Sequence, residues 1–205
     1  MDRQRNIEFS DQELQLMRDD QIFPQKLLIT KKIYDLLSEL SHELKNHTIT
    51  QTYPFPKGTD MTAGKISKGE NYKQQPYAIL DLPRKFSRQM ILAYRTMFWW
   101  GHCFAFTLHV AGIPMKNTMQ KFLAHYDHLR DKNLYFAINS NQFEHHFGED
   151  NYRLLDNLDH HTIRNHIETN QYVKVAKQLP LDQWNKLQEE SVAHYELFMN
   201  VIREA

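Results

Sequence analysis

A single cysteine, Cys103, is all the chain offers for sulfur chemistry, so no disulfide can close within it and no cysteine-built zinc knuckle can form. A reducing cytoplasmic setting is the compartment this predicts. An excess of charge is missing as well: 25 Lys and Arg stand against 25 Asp and Glu, a formal net charge of zero with His neutral. That balance lacks the electrostatic footprint of a nucleic-acid or acidic-membrane binder, and neither partner is expected. Every apolar stretch breaks well before the roughly 18 residues of a spanning helix, and the polar Met1–Asn6 is followed by no apolar run. Neither a membrane span nor a signal peptide is expected.

Chemical signatures are equally scarce. The segment around Lys65 to Tyr72 contains Lys68 and Gly69 but not the G-x-x-x-x-G-K-[ST] spacing that cradles phosphates. No G-x-G-x-x-G follows a strand, and no G-x-S-x-G marks a nucleophile elbow. Nucleotide-driven and α/β-hydrolase chemistry therefore have no frame here, and no cofactor is expected. Glu39 and His42 form one E-x-x-H on a helix, but a di-iron bundle needs a second copy of that motif besides two further glutamates, and the chain has no second E-x-x-H.

What is present is material for a core. The 205 residues are 41% hydrophobic and 12% aromatic, enough for one domain over residues 1–205. Ser10 and Glu13 read as a capping box that opens a helix over Asp11 to Asp20. Behind Pro24, Ile29, Ile33, Leu36, Leu37, Leu40 and Leu44 recur at three and four, which predicts a helix from Gln25 to Asn46. Residues 47–75, with Pro54, Pro56, Gly58, Gly64 and Gly69, carry turn chemistry and are expected to be a long loop. Between Pro76 and Gly112 the period changes to two. Tyr77 to Leu82 predicts a strand stopped by Pro83, and Met90 to Phe98 with His102 to Ala111 predicts a hairpin turning at Trp99–Gly101. After a helix around Asn117 to Arg130, a fourth strand is expected at Leu134 to Asn139. The rest reads as helix over Tyr152 to Leu158, Thr162 to Gln178 and Asp182 to Glu204. The expected fold is α+β: a small, mainly antiparallel four-stranded sheet in the middle of the chain, packed with N- and C-terminal helices.

The hairpin is the stretch that speaks most directly to function. Alternation puts Phe104, Phe106, Leu108 and Val110 on one face and Cys103, Ala105, Thr107 and His109 on the other. A two-residue turn would set Tyr94 and Thr96 beside Thr107 and His109 and leave Arg95 among the phenylalanines. A three-residue turn reverses this and gathers Arg95, Thr107 and His109 into a polar patch able to hold an anion. Asp81, on the neighbouring strand, is the counter-ion expected for Arg95, and a buried pair that only fixes register is the plainer alternative. Trp99 and Trp100 at the tip point to contact with a ligand, a second subunit or another loop. Cys103 reads as a small buried hydrophobe.

Twelve histidines, including His125, His128, His145, His146, His160, His161 and His166, match no metal-ligand frame, and no metal site is expected. Two functions follow. The first is a non-enzymatic binding or interaction domain with a small-ligand pocket, a small anion being the candidate ligand, or a homodimer surface around the central hairpin, built from Arg95, His109, Thr107, Tyr94, Asp81, Trp99 and Trp100. The alternative is a small metal- or histidine-dependent hydrolase or lyase using His109 with Arg95 or the late histidines.

Overall fold

The computed structural model describes residues 7–62 and 64–203. Met1–Asn6 and Glu204, on which the reading of the N-terminus and the end of the last helix partly rest, lie outside them. The sheet is larger than the expected four strands: seven strands pair antiparallel throughout, in the order β1-β2-β3-β4-β7-β5-β6. They are β1 (Lys65–Tyr72), β2 (Gln75–Phe86), β3 (Ile91–Trp99), β4 (Cys103–Ala111), β5 (Tyr135–Ala137), β6 (Tyr152–Leu154) and β7 (Tyr172–Pro180). The helices are α1 (Asp11–Arg18), α2 (Ile22–Asn46), α3 (Thr48–Thr52), α4 (Lys116–His125), α5 (His160–Asn170) and α6 (Leu187–Ile202). The fold is thus α+β, as expected, with three strands that the sequence pattern did not reveal.

Each missed strand has a physical reason. β1 lies in the stretch expected as loop; it is an edge strand with little burial, and its Lys65, Lys68 and Glu70 suit a solvated edge rather than an apolar alternation. β7 was hidden inside a predicted helix. Its real signal is the period-two run Tyr172–Ala176, preceded by Gln171 in the left-handed conformation that closes α5 (φ 56°). β6 has only three residues, too few for any period to show. Pro83 does not stop β2: it sits where the register shifts between Asp81 and Arg84, a bulge in which no ladder hydrogen bond is asked of it.

One sheet face is apolar and covered by helices. Leu80, Leu92, Phe106, Leu108 and Val175 meet Leu37, Leu40 and Leu44 of α2 and Tyr195, Phe198 and Met199 of α6 in one core. Full burial of each such side chain is worth roughly 1.5–3 kcal/mol, so tertiary packing rather than helix propensity holds α2 and α6 in place. A buried polar link crosses that core. The Tyr94 hydroxyl donates to the Ser191 carbonyl at 2.5 Å, and Thr50 Oγ1 lies 2.8 Å from the Tyr195 hydroxyl.

The chain leaves β4 through Gly112, whose φ of 96° disfavours any side chain. A Cβ there would also stand 2.1 Å from the backbone oxygen of Gln89. Gly112→Ala should therefore cost about 2 kcal/mol or more from strain and collision. That lowers the thermal midpoint by roughly 4–8 °C, readable by circular dichroism; an unchanged midpoint would show that the turn relaxes freely.

Candidate functional site

The β3–β4 turn holds three residues between Trp99 and its partner Cys103, so the register is the one that pairs Arg95 with Thr107 and Ala93 with His109. Asp81 stands opposite Arg95 across β2 and β3. Arg95, Asp81, Thr107 and His109 therefore share the sheet face away from the helices. Arg95 grips Asp81 with both arms of its fork, Nε to Oδ1 at 2.7 Å and Nη2 to Oδ2 at 2.9 Å, and its guanidinium lies over the Phe86 ring. Tyr94 is not part of this group: it points into the helical core, and its neighbours there push its phenol pKa upward by burial.

Lys174 of β7 joins the cluster; the pattern over Thr162 to Gln178 predicts helix, which hides its place on the sheet. A lysine in the middle of a period-two apolar run, between Val173 and Val175, was the available signal. Its residue exposure is 1%. The loop over residues 138–151 closes above the cluster and satisfies it. Lys174 Nζ donates to the carbonyls of Gln142, at 3.1 Å, and Glu144. His109 Nε2 donates to Gln142 Oε1 at 2.8 Å. Arg95 Nη1 donates to His145 Nε2 at 3.0 Å. A neutral imidazole carries one N–H, so this places the His145 proton on Nδ1, 3.5 Å from Lys174 Nζ. At the end of β1, the Tyr72 hydroxyl donates to Glu144 and accepts from the backbone N–H of His145 and His146.

Burial and like charge set the protonation states. Desolvation, with Lys174 beside it, pulls the His109 pKa down to about 3, and the same pair of causes holds His145 well below its usual value. Lys174 falls to about 7, first from desolvation and then from Arg95. Arg95 is thus neutralised by Asp81, while Lys174 lies near Glu144 and bonds loop carbonyls, with two neutral imidazoles alongside. Chemically the arrangement is a latch: buried donors of the sheet hold an irregular loop through its own carbonyls. An anion reaching Arg95 would have to displace that loop.

An open, apolar concavity lies elsewhere, at the tip of the β3–β4 hairpin. A groove of about 790 Å³ runs between α2, the hairpin and the 3-10 segment Leu181–Lys186. Its floor and walls are apolar, with Ile33, Leu36, Phe98, Trp100, Phe104 and Trp184 prominent, and Lys32, Asp35 and Glu39 stand along α2. Trp100 is half-buried and Trp184 exposed. Trp99, by contrast, is buried on the far face and stacks on His102 with ring centroids 3.6 Å apart.

The remaining sequence candidates scatter. His125 and His128 stack on each other, His146 pairs with Asp150, and His166 packs against Phe136 and Tyr172. Among the described residues, no three His, Cys, Asp or Glu side chains are grouped so as to hold a metal ion. Glu39 bonds Gln188 and His42 contacts Asn46, so they do not act as a pair. Cys103 is buried, and its thiol is pushed up to about 11, mainly by desolvation, which keeps it protonated.

These shifts have a sign in stability. In the unfolded chain the imidazoles take up protons near pH 6.5. In the folded protein His109 and His166 do so only at about 3 and about 4, and His145 well below its usual value. The unfolded state binds more protons through this window, so stability falls as pH drops from 6.5 toward 4, by about 1.4 kcal/mol per pH unit for each such group. The thermal midpoint should be clearly lower at pH 5 than at pH 7, and His109→Gln should show a flatter dependence whatever its midpoint at pH 7. Equal slopes for the two proteins would contradict the assignment of a neutral His109.

Compared with known protein families, curated proteins and solved structures, the chain matches no family model, no curated protein and no solved structure.

Proposed function

We propose that this protein is a non-enzymatic binding module that takes a mostly apolar small molecule into the groove at the hairpin tip. The observation that carries the reading is the groove itself. Its volume of about 790 Å³ falls in the range of small-molecule sites, roughly 300–1,000 Å³, and its lining is apolar and aromatic with a few charged groups at one edge. An exposed indole and a half-buried one in the same apolar groove are costly to leave in water and gain from a covering ligand. The polar cluster on the opposite sheet face supports this choice indirectly, since Arg95, His109 and Lys174 already have acceptors and the loop covers them.

A hydrolase or lyase reading would need a basic group with access to substrate. His109, the candidate base, is buried and donates to Gln142, and nothing in its surroundings favours that alternative.

Two of the three tryptophans line the groove, so occupancy can be followed by intrinsic fluorescence. A lipophilic dye such as 8-anilinonaphthalene-1-sulfonate should bind saturably and quench or shift the tryptophan emission. Trp184→Ala, at an exposed position, should weaken binding at least tenfold, about 1.4 kcal/mol, with little change in thermal midpoint. Leu36→Trp should fill the groove and abolish binding. Saturable binding that ignores both substitutions, or no binding at all, would remove the proposal.

A further inference from the structure

Of the eleven large hydrophobic residues exposed among the described residues, eight fall between Ile7 and Ile29. α1 buries none of its residues, although a complete capping box commits it to helix. A helix of eight residues is marginal alone in water, because few hydrogen bonds follow its costly nucleus, and its apolar Leu16 and Met17 gain only when something covers them. On α2, Phe23 and Leu27 are 72% and 71% exposed. With Lys31 they recur every four residues along one side of the helix, away from the Ile29, Ile33 and Leu36 that face the groove.

We propose that residues 7–21 of one copy and the first half of α2 of another form the two-fold interface of a homodimer. Area supports it: the seven of these side chains other than Ile29, at roughly 100 Å² of apolar surface each, come close to the ~800 Å² per partner of a standard interface. Charge supports a second copy in particular. Residues 7–21 carry Glu8, Asp11, Glu13, Asp19 and Asp20 against the single Arg18. The first half of α2 presents Lys31 and Lys32, both exposed. A two-fold axis sets the acidic segment of each chain over the basic helix of the other, so one patch satisfies itself twice. Phe23, Leu27 and Lys31 lie on the other side of α2 from the groove, and only Lys32 borders both, so this interface stands independently of the ligand reading.

Sedimentation equilibrium of the full chain from low to high micromolar concentration tests it. A concentration-dependent dimer is expected. Leu27→Asp should raise its dissociation constant at least tenfold while leaving the thermal midpoint of the monomer and the dye response of the groove in place, and Lys31→Glu should weaken it several-fold. A monomer across the whole range, or a dimer indifferent to both substitutions, would overturn the proposal. So would a monomer that cosediments with anionic phospholipid vesicles, which would assign the surface to a membrane.

Discussion

The register of the β3–β4 hairpin is the constraint on which the rest of the molecule depends. Side chains alternate across a strand, so one residue more or less in the turn would exchange the two faces of the sheet. With three residues between Trp99 and Cys103, Phe104, Phe106 and Leu108 go to the helices, while Arg95, Thr107 and His109 go to the other side. The Asp81–Arg95 pair ties β2 to that register. A slip would drive an arginine and a histidine into the apolar core and expose phenylalanines, at a cost well beyond the marginal stability of a domain.

The two faces solve the problem of coverage differently. On the first, shape and apolar area are enough, and α2 and α6 provide them. On the second, a polar island sits between two small apolar clusters, one with Ala93, Ala111 and Tyr172 and the other with Ile79, Met97 and Trp99. A helix could not cover such an island, because its backbone groups are already spent within itself. The irregular loop over residues 138–151 can, since its backbone carbonyls and amides are free to meet Lys174 and Tyr72 while its Gln142 and His145 side chains meet His109 and Arg95. The loop is therefore part of the core on that side rather than a decoration of the surface.

Apolar surface left uncovered is concentrated as well. It gathers at the groove beside the hairpin tip and over the N-terminal helices, while most of the sheet is buried on both faces. α2 stands between the two places, its inner stripe packed on the sheet, one flank lining the groove and its first turns apolar toward solvent.

By itself the sequence determined the elements whose signals are local. The capping box at Ser10 and Glu13, the three-and-four spacing of α2 and the alternation of β3 and β4 each arise within one short stretch of chain and appear where expected. It also named Arg95, Asp81, Thr107 and His109 as neighbours under one of two turn lengths. Choosing between those turns required the structure, because register depends on what the strands pack against. β1 and β6 were out of reach for another reason: a solvated edge strand rich in charge and a three-residue strand carry too little apolar alternation to show a period. Lys174 and the loop that meets it lie roughly thirty residues apart in sequence, as the hydrogen bonds to Gln142 and Glu144 show. Only the insertion of β7 between β4 and β5 brought them together, since a buried ammonium group and unpaired carbonyls find each other through tertiary proximity and leave no periodic trace in the chain.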